Sequence, residues 1–258
     1  MFVDSHCHLD CIKLDEFNGD YAEMLRQSAD AGVEHMLCVS IDFEKFPAML
    51  AQAEPFTQIS VSAGVHPMAD RANEIDEASL RRYACHDRVV AIGETGLDYY
   101  YHKGDREWQQ QRFRTHLRIA REFGKPVIVH TRDAGEDTLE ILAEENARQC
   151  GGVIHCFTET MDFAERAMDM GLMISFSGII TFNNADALRQ VARQVPDEFL
   201  LIETDSPYLA PAPHRGKQNY PAYVRRVAEK LAEIRGVPVE HIAQLTRDNF
   251  YRTFRLVT

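Results

Sequence analysis

Histidines and carboxylates stand at the ends of short apolar runs in this sequence. His6 and His8 close the first run, and a spacing of two in a β-strand points both imidazoles to one face while Cys7 points to the other. Single residues end or follow four later runs: Glu94, His130, His155 and Asp205. Together these positions supply four imidazoles and two carboxylates.

This set of side chains is typical of a metal site. Four imidazoles and two carboxylates exceed what one tetrahedral zinc takes, so two metal ions with a bridging carboxylate fit better, and Glu94 is the predicted bridge. Each position alone has a structural explanation, because a strand-end histidine is commonly only hydrogen-bonded and Asp205 can belong to a turn or a helix cap. Six such positions on five strands are hard to explain in that way.

The elements that must position these residues follow from the apolar pattern. Eight short runs alternate with amphipathic stretches, and the predicted strands are 2–8, 36–40, 59–65, 89–94, 127–130, 153–155, 173–176 and 200–204. Eight strand–helix units in 258 residues predict an α/β fold, a (β/α)8 TIM barrel that forms a single domain over residues 1–258. An open doubly wound sheet is the alternative, but no G-x-G-x-x-G follows the first run.

Helix signals agree with this alternation. The stretches 21–31 and 105–123 run into Gly32 and Gly124, which suit C-terminal caps. Asp133 is placed to cap a helix over residues 138–147, and another helix is predicted over residues 162–170.

Composition excludes several classes of protein. Hydrophobic residues make up 45% of the chain, which argues against disorder, and no run reaches the roughly 18 apolar residues that a membrane span needs. The start lacks a secretory signal and the six cysteines form no C-x-x-C pair, so we expect a cytoplasmic protein with no membrane partner. The net charge of −12 disfavours wrapping of long duplex nucleic acid, although two bound divalent ions would make the site itself positive.

Seven motifs along the chain resemble those of the TatD-type metal-dependent deoxyribonucleases, a branch of the amidohydrolase-like metallo-barrels. They are residues 4–10 (DSHCHLD), 64–67 (GVHP), 93–99 (GETGLDY), 129–132 (VHTR), 154–157 (IHCF), 203–209 (ETDSPYL) and 213–217 (PHRGK). The resemblance implies one metal ion bound by His6, His8, Glu94 and Asp205, and a second bound by Glu94, His130 and His155. It also implies a hydrolase supported by Mg, Mn or Zn, often a 3′→5′ exonuclease on DNA or RNA.

Asp205 and Glu203 are the candidate catalytic residues. Asp205 can ligate a metal and still accept a proton from the attacking water, whose pKa two divalent ions would lower towards neutrality. Glu203 lies two residues earlier on the same strand face, and it either acts as a base or orients a histidine ligand.

The candidate substrate-binding residues also lie at the predicted mouth of the barrel. His66 either binds substrate or hydrogen-bonds a neighbouring ligand, and Arg132 directly follows the fifth strand. His214, Arg215 and Lys217 cluster in the loop after the eighth strand, where cations suit a phosphate-bearing substrate but are also common on solvated loops. Four aromatic residues either stack nucleobases or pack at the rim: Tyr99, Tyr100, Tyr101 and Trp108.

Three classes of function remain open. The favoured one is a metal-dependent phosphodiesterase, a 3′→5′ exonuclease or deoxyribonuclease acting on the strand ends of DNA or another phosphodiester. The alternative is a metallo-hydrolase of ester or amide bonds, such as an aminoacyl-tRNA ester or a small amide. A binding protein that kept the barrel but lost catalysis is disfavoured by the intact set of six ligand positions.

Overall fold

The polypeptide folds into eight parallel strands that neighbour one another in sequence order, from β1 to β8. The computed structural model describes residues 1–70, 76–101 and 104–256. The strands are β1 (Phe2–Cys7), β2 (Val33–Cys38), β3 (Ile59–Ala63), β4 (Val89–Asp98), β5 (Val127–Arg132), β6 (Gly152–Ile154), β7 (Leu172–Phe176) and β8 (Leu200–Ile202). With helices around it, this sheet is a nearly closed TIM barrel, as predicted.

Each of the eight predicted strands is present, but several boundaries differ. β4 extends to Asp98, four residues past the predicted end at Glu94, because it continues to pair with β5 up to Arg132. β6 and β8 end at Ile154 and Ile202, so His155 and Glu203 lie just beyond their strands. His6, Glu94 and His130, in contrast, lie within β1, β4 and β5.

The helices surround the barrel. They are α1 (Tyr21–Asp30), α2 (Phe46–Ala53), α3 (Glu77–Ala84), α4 (Glu107–Phe123), α5 (Gly135–Glu144), α6 (Met161–Asp169), α7 (Asp186–Gln194), α8 (Val224–Arg235) and α9 (Val239–Phe254). Gly124 ends α4 in the left-handed region at φ 60°, as predicted from the glycine at this position. Within the described part of the chain, no helix is long and apolar enough to cross a bilayer.

The predicted cap at Asp133 is wrong. Asp133 has a φ of 54°, which differs from the extended backbone of an N-cap residue, and α5 begins at Gly135 with Ala134 as its N-cap. The helix starts three residues earlier than residue 138, and Glu136 and Asp137 fall in its first turn, where acidic side chains favour the positive end of the helix dipole.

Apolar side chains fill the lower half of the barrel. This inner core joins residues from seven strands to two phenylalanines of α9, and its members are Val3, Leu37, Val39, Val90, Ala91, Ile128, Val153, Met173, Leu201, Phe250 and Phe254. Phe250 lies 5.5 Å (ring centroids) from His35, near the start of β2, so α9 covers the N-terminal end of the barrel. The opposite end is left for polar residues.

The seam between β1 and β8 is closed by side chains and loop backbone. Asp4 Oδ1 accepts a hydrogen bond from the Thr204 N–H at 2.8 Å. Beyond it, the Asp205 N–H donates to the His6 carbonyl at 2.9 Å, and the His8 N–H donates to the Ser206 carbonyl at 2.7 Å. This pairing holds Asp205 beside the two histidines of β1.

Candidate metal centre

The inner positions of three strands change from apolar to polar within two residues. Ile128, Val153 and Leu201 belong to the inner core, and His130, His155 and Glu203 follow each of them by two positions. Because side chains on one face of a strand recur every second residue, the polar side chains continue the inward direction. They meet at the C-terminal mouth of the barrel.

Two other strands carry their polar residues at irregular points of the ladder. The β1–β2 register shifts between Asp4 and Cys7, and the β4–β5 register shifts between Ile92 and Thr95. Such irregularities change which way a side chain faces. His6 and His8 face the axis of the barrel with their Nε2 atoms 3.3 Å apart. Cys7 instead packs in a second apolar core, formed by residues of the strands and of the surrounding helices.

The first group of ligand atoms consists of two nitrogens and two oxygens. His6 Nε2 lies 3.3 Å from Glu94 Oε2, His8 Nε2 lies 3.3 Å from Asp205 Oδ1, and the crossed His6–Asp205 and His8–Glu94 distances are 3.7 and 3.8 Å. An ion bound tetrahedrally at about 2.1 Å separates its ligands by roughly 3.4 Å. These distances are close to that spacing, so the four side chains are suitable candidates to hold one divalent ion.

The second group surrounds the other oxygen of Glu94. Glu94 Oε1 lies 2.8 Å from His155 Nε2 and 3.2 Å from His130 Nδ1, and these two nitrogens are 3.4 Å apart. His66 Nε2 also approaches Glu94 Oε1, at 3.3 Å. Glu94 thus presents one carboxylate oxygen to each group.

Glu94 is buried and anionic. Burial opposes its ionisation, but the imidazoles of His155 and His66 outweigh burial and hold the pKa of Glu94 well below its ordinary value. Asp205 shows the same balance, since burial is outweighed by the hydrogen bond from His8 and the charge of His6, and its pKa is lowered. Both carboxylates offer charged oxygens to a cation.

The outer nitrogens of three histidines contact hydrogen-bond acceptors. His8 Nδ1 lies 2.9 Å from the Val39 carbonyl, His130 Nε2 lies 3.2 Å from Asp98 Oδ2, and His155 Nδ1 lies 3.3 Å from Glu203 Oε1. In a neutral imidazole, the nitrogen facing an acceptor carries the proton, so the other nitrogen keeps its lone pair. Without a cation, neighbouring carboxylates raise the pKa of all three rings. A metal ion that displaces the inner proton of each ring would meet these lone pairs in the two groups around Glu94.

His66 has the opposite arrangement. Its Nδ1 accepts a hydrogen bond from the Met68 N–H at 3.0 Å, and burial lowers its pKa, so the neutral ring carries its proton on Nε2. That N–H donates to Glu94 Oε1. Of the two roles predicted for His66, this geometry supports hydrogen bonding to a neighbouring ligand.

A cavity of about 680 Å³ opens above the two groups. Its lining includes seven residues named from the sequence as site residues: His8, His66, Glu94, His130, Arg132, His155 and Asp205. His6 lies behind it, fully buried, with its ring stacked on His155 at 4.0 Å. Glu203 is also fully buried outside the lining, where its Oε1 accepts from the Cys156 N–H at 2.7 Å.

The three candidate residues of the last loop lie outside this lining. The His214 ring stacks on Tyr223 with centroids 4.0 Å apart, and the Arg215 guanidinium lies 3.6 Å from the centre of the Phe182 ring. Lys217 is exposed. Their role in substrate binding stays a prediction, and it applies to parts of a substrate that extend beyond the cavity.

Sequence reasoning gave Tyr208 and Cys156 no role, although both line the cavity. The Tyr208 ring meets the His8 ring edge-on at 5.9 Å. Its signal in the sequence is an aromatic residue three positions after Asp205, in the loop that leaves the barrel mouth. Cys156 directly follows His155, and its Sγ lies 3.1 Å from Ser177 Oγ.

The chain is similar to known proteins over almost its whole length. The family model described as TatD-related DNase matches residues 3–255. The chain is 50% identical over 254 residues to the uncharacterized metal-dependent hydrolase YcfH of Escherichia coli K12, covering 98% of this chain and 96% of that protein. It is 38% identical to YabD of Bacillus subtilis, also an uncharacterized metal-dependent hydrolase, covering 99% and 100%. The crystal structure of the TatD homologue YjjV from E. coli K12 superposes with a TM-score of 0.92 at 31% identity, covering 99% of this chain and 98% of that one.

Proposed function

Because the chain belongs to the family of TatD-related DNases, we propose that this metal-dependent hydrolase is a phosphodiesterase that acts as a 3′→5′ exonuclease on the strand ends of DNA. The observation that carries the proposal is the position of Glu94, whose Oε2 faces His6 and His8 while its Oε1 faces His130 and His155. A bridging carboxylate between two metal ions is a recurrent device for phosphodiester hydrolysis.

His6, His8 and Asp205 would hold one ion, His130 and His155 the other, and Glu94 both. Mg, Mn or Zn suits this mixed donor set. When bound, such ions lower the pKa of water and neutralise the charge that develops on a phosphoryl oxygen. The outer partners Asp98, Glu203 and the Val39 carbonyl keep the histidine rings in the required tautomers.

Asp205 is the residue that takes the proton of the attacking water. It lines the cavity, and 12% of its side chain is exposed, whereas Glu203 is fully buried with one oxygen on His155 and Cys156. This contrast supports Asp205 as the general base and Glu203 as the residue that positions His155. Hydrolysis breaks the P–O3′ bond and releases a nucleoside 5′-monophosphate, and the O3′ atom leaves with a proton.

Arg132 is the cation that would receive a phosphate. Its guanidinium lies at the cavity and has no carboxylate partner within 4.0 Å among the described residues. A planar guanidinium matches the oxygens of a phosphate. This feature favours a phosphodiester over a neutral ester or amide.

The test is a substrate panel supplied with Mg²⁺, Mn²⁺ or Zn²⁺ in turn. The same oligonucleotide is labelled at its 5′ or its 3′ end, and a neutral ester and an amide complete the panel. We expect a descending ladder from the 5′-labelled strand and a single labelled mononucleotide from the 3′-labelled strand. Chelation should abolish both.

Glu94→Gln should lose this activity, and the matched control Glu229→Gln should keep it. Glu229 is a carboxylate of α8 that pairs with Arg225 and Arg226. Hydrolysis of the ester or amide without cleavage of either oligonucleotide would contradict the phosphodiesterase proposal.

A further inference from the structure

Exposed aromatic side chains are concentrated at the mouth of the barrel. Among the Phe, Tyr and Trp residues that the structure describes, three are highly exposed: Tyr100 at 48%, Tyr101 at 63% and Tyr208 at 50%. Tyr101 and Tyr208 line the cavity above the candidate metal centre. Tyr100 is joined to the cavity through Arg132, whose guanidinium lies 4.0 Å from the centre of its ring.

The tyrosines form two walls on opposite sides of the mouth. The first wall consists of Tyr100 and Tyr101, which follow β4, and Arg132, which ends β5. The second wall consists of Tyr208, which follows β8. In an eight-stranded barrel with strand order β1 to β8, β4 and β8 stand diametrically opposite. Tyr101 and Tyr208 therefore line the cavity from loops that follow opposite strands.

The backbone of both walls is hydrogen-bonded to residues at or next to the candidate centre. Asp98, which contacts His130, also accepts hydrogen bonds from the Tyr100 and Tyr101 N–H groups at 3.0 and 3.2 Å. The buried amide of Asn219 donates to the carbonyls of Thr204 and Tyr208 at 2.8 and 2.6 Å. These hydrogen bonds fix the backbone positions from which the tyrosine side chains project.

We propose that Tyr101 and Tyr208 bind the nucleobase of the 3′-terminal nucleotide and thereby select an unstacked, base-bearing strand end. The Arg132 guanidinium lies over the rings of Tyr100 and Tyr101 and has no carboxylate oxygen within 4.0 Å among the described residues, and it receives the adjacent phosphate. This inference rests on the proposed phosphodiesterase function. Tyrosine stacks on any base, so the subsite discriminates the presence of a base and tolerates its identity.

The test compares two 5′-labelled oligothymidylates, one ending in thymidine and the other in a tetrahydrofuran nucleotide that lacks the base. For removal of the last nucleotide, we expect kcat/KM of the native protein to favour the base-bearing end by roughly 5- to 100-fold, the range that stacking of one base supplies. Tyr101→Ala and Tyr208→Ala should each bring this ratio closer to one. Tyr101→Phe and Tyr208→Phe, which keep the ring, should retain it.

The ratio compares two substrates of one variant, so a loss of metal or of folded protein changes both rates alike. A ratio near one for the native protein, or an unchanged ratio in either alanine variant, would overturn the two-walled subsite while the phosphodiesterase proposal stands. If the native protein cleaves neither oligonucleotide with any of the metals, both proposals fail.

Discussion

The two ends of the barrel use the same strands for different purposes. On β5, β6 and β8 the lower inner positions are Ile128, Val153 and Leu201, and the upper ones are His130, His155 and Glu203. Phe250 of α9 belongs to the lower set. A single strand period thus separates packing from chemistry, which is why a TIM barrel can vary its site while its core stays intact.

His35 and His155 are buried at opposite ends of the barrel, and their pKa values are shifted in opposite directions. Near the start of β2, burial and the charge of Arg88 lower the pKa of His35 to about 4, and its Nε2 hydrogen-bonds to Ser60 Oγ at 2.8 Å. At the mouth, burial also opposes the protonation of His155, but Glu94 and Glu203 raise its pKa well above the ordinary value. The neighbouring carboxylates therefore distinguish His155 from His35, whereas burial prevails at His6 and His66.

Among substitutions in the two halves of the barrel, we expect the largest effect from His130→Ala, which should lose activity. Removal of one ligand of the second group should lower kcat/KM by about 10³-fold and release bound metal. The free energy of unfolding of the metal-free protein should change less than it would on loss of a fully buried aliphatic side chain, because 18% of the His130 side chain is exposed at the polar mouth. Steady-state kinetics, metal analysis and urea unfolding in chelator check this, and full activity in the variant would contradict the account.

Ile128→Ala, two residues away on the same strand, should show the reverse pattern. Deletion of a fully buried aliphatic side chain costs about 2–5 kcal/mol of unfolding free energy. The variant should keep its bound metal, and its kcat should stay within about threefold of the native value while it remains folded. A stable variant that had lost its metal would show that the two layers are not separable.

Asp98→Asn tests the contribution of one polar residue at the mouth of the barrel. The change removes the carboxylate that faces His130 Nε2 but leaves an oxygen for the Tyr100 and Tyr101 N–H groups. Loss of such an outer partner typically lowers metal affinity about 10- to 100-fold. Competition with a metal indicator measures this affinity, and an affinity equal to that of the native protein would remove Asp98 from the centre.

The smallest expected effect is a change in the pH dependence of stability at His35, in the lower half of the barrel. Below the unfolded pKa of about 6.5 the unfolded chain binds a proton at His35, while the folded protein stays neutral there until its pKa of about 4. Stability from this group therefore falls as the pH decreases from 6.5, by up to about 2 kcal/mol at pH 5. Urea unfolding at pH 7 and pH 5 should show a smaller difference for His35→Gln than for the native protein, and equal differences would exclude this contribution.

Much of the fold and of the centre follows from local patterns. Strand-end residues such as His130 and His155 were predictable because a strand period of two continues the direction of the apolar residue before them. The irregular register around His6 and Glu94, and the tautomer of His66, were not, since they depend on contacts with neighbouring strands and with the Met68 N–H.

The path of the loop after β8 was not predictable from the sequence either. It depends on the buried Asn219 and on the Arg215–Phe182 contact, which joins residues far apart in the sequence. Asp133 shows the same limit on a smaller scale, because its suitability as a cap was overridden by a backbone turn at φ 54°. Residue type therefore predicts which side chains lie at the mouth of the barrel. It is less informative about which of these side chains face the cavity.

The number of divalent ions bound per chain tests the central claim most directly. Native mass spectrometry of the protein loaded with Mn²⁺ or Zn²⁺ should find two ions on the native chain. Glu94→Ala, folded as judged by circular dichroism, should bind fewer than two, because each group loses a ligand. A native chain that binds one ion or none, or a Glu94→Ala chain that still binds two, would contradict the bridge on which this account depends.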